Sequence, residues 1–170
     1  MDKQTFLQTF AEPVKEAVSG TGLFASVKLA QMALETGWGD SIKAAGNNCF
    51  GIKATPTWPG KVISNTTRET FNGESVVFHG TGDIYDSYQA ALDANCNTTT
   101  LFKAYPDIAA SIRDHNELLL TAPRYQVVRD AQTPEQQAHE LQTAGYATAE
   151  GYANTLISII HSNDLTQYDE

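Results

Sequence analysis

The stretch LFASVKLAQMALETGWG, residues 23–39, decides the fold of this chain. Residues 23–36 predict a helix that is apolar on almost every side. Its five polar residues are Ser26, Lys28, Gln31, Glu35 and Thr36. Gly37 follows in the position where a glycine commonly ends a helix. A helix that is apolar all round is normally buried, so we expect the other elements to pack around this one.

The flanking sequence predicts more helices on both sides of a β-rich insertion. Residues 2–18 carry an apolar stripe at helical spacing. From about 46 to 86 the helical period disappears, and residues 62–80 predict a hairpin around Asn72-Gly73. Four later segments predict helices: 87–102, 107–120, 134–144 and 149–162. Thr133, Pro134 and Gln136 form the start signal of the third of these. The pattern predicts an α+β fold.

Length and charge narrow the classes of function. The 170 residues suit one domain, and we expect residues 1–170 to form a single catalytic domain that carries the insertion. The net charge of −9 rules against an electrostatic grip on nucleic acid or on an anionic membrane. No Lys or Arg follows Arg129, whereas seven acidic residues do. This acidic end is either a solvated helical surface or a docking surface for a basic partner.

Glu35 is the first candidate for chemistry. A carboxylate in an apolar helix is costly to ionise, and the negative end of the helix dipole adds to that cost. Both effects raise a pKa, as a general acid requires near neutral pH. Trp38, between Gly37 and Gly39, is placed to stack on a sugar ring. The alternative is that Glu35 is a solvent-facing residue at a helix end.

A second carboxylate is expected on the hairpin. Glu69 lies two residues before Phe71, so alternation places both side chains on one face of the strand. A glycosidase needs two carboxyl groups, one as the acid and one as a base or nucleophile. The competing candidates nearby are Glu74, Asp83 and Asp86. A surface glutamate on a strand is the alternative for Glu69.

The cysteines and histidines carry weaker signals. Cys49 and Cys96 are either two thiols or one disulfide, which an oxidising compartment would favour. Neither lies in a CxxC metal or redox motif. His139-Glu140 lacks the second histidine of a zinc-binding HExxH motif, so we expect no metal.

Six blocks of sequence, in order from about residue 23 to 161, resemble glycoside hydrolase family 73. These are bacterial and phage N-acetylglucosaminidases with a lysozyme-like fold, found in autolysins and flagellar peptidoglycan hydrolases. The blocks are LAQMALETGWGDS (29–41), NNCFGIKA (47–54), TRETFNG (67–73), IYDSYQAAL (84–92), RYQVV (124–128) and GYATAEGYANTLISII (145–160). The sequence departs from the family pattern at Cys49, Phe71 and Gly82-Asp83.

The resemblance implies a reaction and the residues that perform it. The reaction is cleavage, without metal or other cofactor, of the bond between N-acetylglucosamine and N-acetylmuramic acid inside a peptidoglycan strand. Glu35 is similar to the family's general acid and Glu69 to its second carboxylate, on two lobes that flank a cleft. Glu69 either activates water or stabilises the cation, with assistance by the N-acetyl group as the alternative. The implied substrate-binding residues are Trp38, Asn48, Phe50, Tyr85 and Tyr146, with Tyr146 near Glu35.

Two other functions stay open from the sequence. A non-catalytic wall-binding module would hold glycan through Trp38, Phe50 and Tyr146. A cysteine peptidase or amidase would use Cys49 with His79 or His115.

Delivery is a further expectation. No apolar run approaches the ~20 residues of a membrane span, and the first residues lack the apolar core of a secretory signal. We therefore expect action on the cell wall, in the periplasm or outside the cell, after phage lysis, as part of a larger protein or after type VI secretion. An effector of that last kind requires an immunity protein that blocks the cleft.

Overall fold

The helices and strands belong to two compact units. A computed structural model describes residues 1–42 and 46–170 of the chain. The helical unit comprises residues 1–41 and 109–170, and the β-rich unit comprises residues 42–108. All strands of the described residues lie in the second unit. This segregation confirms the predicted α+β class.

The described residues form seven helices and short 3₁₀ turns. The helices are α1 (Lys3–Val18), α2 (Ala25–Thr36), α3 (Tyr88–Asp93), α4 (Ile108–Thr121), α5 (Gln126–Arg129), α6 (Pro134–Thr143) and α7 (Tyr152–Ser162). α2 is the centre of the helical unit, where it packs against α1, α6, α7 and a 3₁₀ turn over Leu165–Asp169. Every residue from Ala25 to Ala33 is buried. The prediction of a central, buried helix is therefore confirmed.

Both ends of α2 have a clear physical cause. Gly37 adopts a left-handed conformation, with φ of 59°, and its N–H bonds to the carbonyl of Ala33. At the other end, the Asp169 carboxylate accepts bonds from the Ser26 amide at 2.7 Å and from its hydroxyl at 2.6 Å. An acidic group is favourable there because the helix dipole is positive at the N-terminus. The far end of the chain thus caps the central helix.

The start of α6 follows its sequence signal. Thr133 accepts a bond from the Gln136 amide at 3.1 Å, and Pro134 occupies the first turn. Gly145 follows the helix with a φ of 84° and turns the chain toward Tyr146.

The β-rich unit contains two small antiparallel sheets. Its strands are β1 (Val62–Ser64), β2 (Thr67–Phe71), β3 (Glu74–Phe78), β4 (Ile84–Tyr85) and β5 (Leu101–Lys103). β2 and β3 form the hairpin, with Asn72 and Gly73 both at positive φ in the predicted turn. β1 does not belong to that hairpin. It is the middle strand of a separate sheet, with β4 and β5 on its two sides.

One predicted helix is mostly wrong. Residues 87–102 were expected to be helical, but α3 ends at Asp93 and Asn95 adopts a left-handed φ of 63°. Thr98–Thr100 then form a 3₁₀ turn that leads into β5. The three β-branched threonines disfavour a helix, and pairing of Leu101–Lys103 with β1 decides the outcome. The β structure thus extends past residue 86.

The β-rich unit has its own apolar core around Ala54, Val62, Ala91 and Leu101. Trp58, Tyr85 and Cys96 pack against this cluster. Gly80 closes the loop after the hairpin, where its backbone passes directly over β1. A Cβ at Gly80 would lie 2.7 Å from the Ser64 carbonyl oxygen and still closer to Asn65. Only glycine fits this crossing.

We predict that Gly80→Ala destabilises the protein by about 1–3 kcal/mol, since backbone atoms must move to admit a methyl group. Gly151→Ala is the matched control, because a Cβ there meets nothing within 4 Å and its φ is −89°. Urea unfolding measures both changes. Equal stability of the two variants would contradict the steric argument.

Candidate active site

Glu35 lies in the last turn of α2, with its side chain exposed and bonded to a tyrosine. The Tyr146 hydroxyl donates to Glu35 Oε1 over 2.9 Å. Tyr146 comes from the segment between α6 and α7. The expectation that Tyr146 lies beside Glu35 is confirmed.

Two further polar residues lie behind Tyr146. His115, on α4, places its Nε2 2.9 Å from the Tyr146 hydroxyl. Its other ring nitrogen, Nδ1, lies 2.8 Å from the Nζ of Lys28. Lys28 is on α2, seven residues before Glu35, and is only 1% exposed. Four side chains are therefore connected in series inside the helical unit.

Tyrosines surround this series. Gln31 donates from Nε2 to the Tyr152 hydroxyl at 3.0 Å. The ring of Tyr152 lies 5.7 Å from that of Tyr146, and the buried Tyr125 ring lies 6.4 Å from it on an edge. These rings limit the movement of Tyr146 and reduce the access of water to its hydroxyl.

The setting of Glu35 raises its pKa. The largest cause is desolvation by the groups packed around it; the Tyr146 bond and the Lys28 charge oppose the rise. A raised pKa favours the protonated form of Glu35, which is the form that a proton donor requires.

Of the other members of the series, His115 and Tyr146 each keep one protonation state near neutral pH, whereas Lys28 titrates there. Burial lowers the pKa of His115 to about 2, assisted by the charge of Lys28, so this imidazole is neutral. Burial lowers the pKa of Lys28 to about 7, against the attraction of Glu35. Burial also raises the pKa of Tyr146, which stays a phenol.

Glu69 has the opposite environment in the β-rich unit. It lies on β2, where Lys53 Nζ contacts its Oε1 at 2.7 Å and the Thr67 hydroxyl donates to the same oxygen at 3.0 Å. The bond from Lys53 is the largest cause of a lowered pKa, followed by the bond from Thr67. Glu69 is therefore ionised over the whole neutral range. Lys53 also donates to the Thr99 carbonyl, which fixes its position.

The competing carboxylates have less defined settings. Glu74 is exposed at the hairpin turn, and Asp83 is exposed before β4. Asp86 is exposed and lies 3.9 Å from Lys61. Among the candidates on this unit, Glu69 has the most hydrogen-bonded carboxylate that the structure records.

Trp38 is half-buried and held in an unusual backbone conformation. Its φ is 56°, and the flanking Gly37 and Gly39 are also left-handed. The ring packs edge-on against Phe6 at 5.3 Å, and the Lys3 ammonium lies 5.0 Å from its centre. Left-handed backbone is costly for a bulky residue, and such strain is concentrated at functional positions.

Asn48 has a role in the protein's own backbone. It is buried, and its amide group donates to the carbonyls of Ile52 and Lys103 while accepting from the Ile52 amide. Both of its N–H donors are thereby used. These bonds hold the turn that carries Phe50 and Lys53, and the expected contact of Asn48 with substrate stays a prediction. Phe50 is half-buried in that turn.

Tyr85 lies on β4 and is half-buried against the β-unit core. Its hydroxyl contacts the Thr81 hydroxyl at 3.0 Å and the Cys96 thiol, and the thiol contact is the largest cause of a raised pKa. Cys96 is therefore a thiol, and so is Cys49. The disulfide considered between them is not formed.

The environment of Cys49 argues against the cysteine peptidase alternative, in which this residue is the nucleophile. Cys49 is 3% exposed, and its thiol is directed at the Asn47 carbonyl at 3.8 Å. A nucleophilic thiol requires access and a nearby base. His115, one of its two proposed partners, is instead bonded to Tyr146 and Lys28 in the helical unit.

Sequence reasoning missed Lys28, His115 and Lys53 as parts of the site. A signal was present for Lys28, because Lys28, Gln31 and Glu35 recur at helical spacing on an otherwise apolar helix. No comparable signal exists for His115, which α4 brings in from 80 residues after Glu35.

Among the described residues, no helix is long and apolar enough to cross a membrane. No cluster of three or more metal-binding side chains occurs in the same part of the chain.

The α+β fold and a desolvated, hydrogen-bonded glutamate at the end of a buried helix define a glycoside hydrolase domain of the lysozyme-like class. The chain belongs to the glucosaminidase family, whose pattern, described as mannosyl-glycoprotein endo-beta-N-acetylglucosaminidase, matches residues 11–165. This confirms the resemblance to glycoside hydrolase family 73.

Individual relatives agree with this assignment. The chain is 37% identical over 164 residues to peptidoglycan hydrolase FlgJ of Salmonella typhimurium, covering 94% of this chain and 46% of that protein. It is 26% identical to exo-glucosaminidase LytG of Bacillus subtilis, covering 99% of this chain and 54% of that one. The solved, C-terminally truncated glycoside hydrolase domain of Salmonella FlgJ superimposes with a TM-score of 0.73 at 33% identity, covering 96% of this chain and 98% of that one. The chain thus spans about half the length of these two relatives.

We predict that Lys28→Met stabilises the protein, and more so at pH 6 than at pH 10. In the wild type the unfolded chain holds a proton on Lys28 between pH 7 and 10.5 that the folded protein has lost. Wild-type stability therefore rises with pH across that interval, by roughly 1.4 kcal/mol per pH unit at most, and the advantage of the variant shrinks. Urea unfolding of both proteins at several pH values measures this. Parallel stability curves would show that the buried amine is not the cause.

Proposed function

We propose that this chain is a catalytic domain that hydrolyses peptidoglycan at the bond between N-acetylglucosamine and N-acetylmuramic acid. The observation that carries the proposal is the opposite tuning of two carboxyl groups. Desolvation raises the pKa of Glu35, and the bond from Lys53 lowers that of Glu69. Pairs of carboxyl groups whose environments separate their pKa values are the basis of acid and base assignments in glycosidases.

The roles follow from the protonation states. Glu35 is the general acid that protonates the leaving oxygen as an oxocarbenium-like state develops. Glu69, ionised throughout, either activates a water molecule or stabilises the cation, and the substrate's N-acetyl group is the alternative partner. Trp38 and Phe50 contribute aromatic surface to the sugar. No metal takes part in these steps.

The relatives support the substrate without fixing the mode of cleavage. The Salmonella relative is named a peptidoglycan hydrolase, whereas the Bacillus relative is named an exo-glucosaminidase. We propose endo cleavage and treat residues 1–170 as one catalytic domain. The wall-binding module without turnover is the remaining alternative.

Delivery is a separate part of the proposal. We propose action in the periplasm or outside the cell, and type VI secretion is one route that brings such a domain there. That route requires an immunity protein in the producing cell, and the acidic residues after Arg129 offer a surface for a basic inhibitor. Co-purification with the product of a neighbouring gene tests this partner. Normal growth of unprotected cells that express the domain in the periplasm would contradict the effector role.

We predict that Glu35→Gln lowers kcat on purified peptidoglycan by about 10²–10⁴-fold, because an amide cannot donate the proton that the leaving oxygen needs. Binding to glycan should persist in a pulldown. Cys49→Ser is the control and should keep full activity if the peptidase alternative is wrong.

The products distinguish the remaining functions. Oligosaccharides with N-acetylglucosamine at the reducing end support endo cleavage, and release of single N-acetylglucosamine would identify an exo enzyme. A reducing-end muramic acid would identify a muramidase instead. Full activity of Glu35→Gln would reject the mechanism.

We predict that Lys53→Met moves the acidic limb of the pH–rate profile to higher pH. Glu69 must be ionised to act, and without the ammonium its pKa rises toward the ordinary value, so activity is lost at a higher pH as the solution is acidified. Arg68→Met is the matched control, since Arg68 neighbours Glu69 on β2 but bonds to Ser75 at 2.9 Å. An unchanged acidic limb in Lys53→Met would exclude Glu69 as the group that titrates there.

A further inference from the structure

The hydrogen bonds behind Glu35 have only one consistent direction when Glu35 is ionised. An ionised carboxylate only accepts, so the Tyr146 hydroxyl donates its single hydrogen to Glu35. The Tyr146 oxygen must then accept from His115, which requires the hydrogen of a neutral imidazole to lie on Nε2. The His115 Nδ1 is consequently an acceptor, and the amine of Lys28 donates to it. Every bond in the series donates toward Glu35.

This arrangement is unusual for the residues involved. A lysine on a helix as apolar as α2 costs free energy to bury, whereas an apolar side chain at position 28 would remove that cost. The neutral state of His115, which its buried position enforces, is the one state that can bond to both neighbours in this direction. Hydrogen bonds in a series polarise one another, so a donor at one end strengthens the bond at the other.

We propose that Lys28 and His115 are positioning residues that act through the Tyr146 hydroxyl to set the proton affinity of Glu35. Lys28 thereby has a role beyond packing, and the catalytic consequence of that role rests on the proposed function of Glu35 as the acid. Donation from Tyr146 favours the carboxylate. The series therefore limits how far desolvation raises the pKa of Glu35 and holds the carboxyl group in one orientation.

The ionisable groups in and around this series come from several elements. They are Lys28 on α2, His115 on α4, Tyr125 before α5, Tyr146 after α6 and Tyr152 on α7. The pKa of Lys28 is about 7, whereas burial keeps the His115 imidazole neutral and raises the pKa of Tyr146 and of Tyr152. The protonation state of Lys28 is thus the property of the series that varies near neutral pH.

A double-mutant cycle on the pKa of Glu35 tests the proposal. The readout is the carboxyl ¹³C chemical shift of Glu35 in glutamate-labelled protein, assigned by its loss in Glu35→Gln. We expect Tyr146→Phe to raise this pKa by about one to two pH units, because a hydrogen bond to a charged group is lost. Lys28→Met should raise it by about half to one unit in the wild-type background and by much less in the Tyr146→Phe background.

Substitutions at His115 distinguish an effect of the hydrogen-bonded series from an effect of side-chain packing. His115→Phe interrupts the series and should raise the Glu35 pKa, whereas the amide of His115→Gln can still donate to Tyr146 and should restore much of the wild-type value. Gln137→Met is the control, because it removes a buried amide of α6 that bonds to Phe24, Gly22 and Val128 and not to this series. The control should leave the Glu35 pKa unchanged even if it lowers stability.

The outcomes are decisive in both directions. A Lys28→Met shift that is as large with Tyr146→Phe as without it would show that the ammonium acts through space, and would overturn the proposal. No shift in Lys28→Met, or equal values for the two His115 variants, would overturn it as well. The readout does not depend on turnover, so failure of the hydrolase proposal, seen as full activity of Glu35→Gln, is distinguishable from failure of this one.

Discussion

The burial of α2 is the constraint on which the helical unit depends. The helix is apolar on nearly every side, so neighbouring elements must cover all its faces. The polar side chains of Ser26, Lys28 and Gln31 are thereby removed from water, and each needs a partner, while Glu35 at the end of the helix stays exposed. Ser26 bonds to Asp169, Lys28 to His115, Gln31 to Tyr152 and Glu35 to Tyr146. The partners come from four different parts of the chain after α2, so the polar contacts of one helix fix the register of its surroundings.

The same constraint produces the chemistry of Glu35. Packing around the end of α2 desolvates the carboxyl group and raises its pKa, while the bonded tyrosine stabilises the charged form. The two effects oppose each other, and their balance determines how readily the proton is released. In the β-rich unit the relation is reversed, because an ammonium and a hydroxyl stabilise the charge of Glu69 and desolvation is the smallest effect on its pKa. Two residues of one type thus acquire different proton affinities from their surroundings alone.

Particular residues show which features of the fold the sequence predicts and which it does not. The period of residues 23–36, the glycine at 37, the Asn72-Gly73 turn and the cap at Thr133 each specify local structure through local forces, and each is found where expected. The strand at Leu101–Lys103 was missed because its stability comes from pairing with Val62–Ser64, about 40 residues earlier. For the same reason β1 was assigned to the hairpin, although it pairs with β4 and β5. Long-range hydrogen bonds leave little trace in the pattern of the strands that make them.

The sequence by itself determined the class of fold and the family and indicated Glu35 as the candidate acid, because these depend on a continuous apolar helix and on motifs confined to short stretches. It also indicated Tyr146 as a neighbour of Glu35 through the family resemblance. Only the tertiary structure decided that Asn48 holds a turn, that Cys49 and Cys96 stay thiols, and that Lys28 and His115 stand behind the tyrosine. Such facts depend on which distant groups share a desolvated space, and desolvation arises only when the chain is packed.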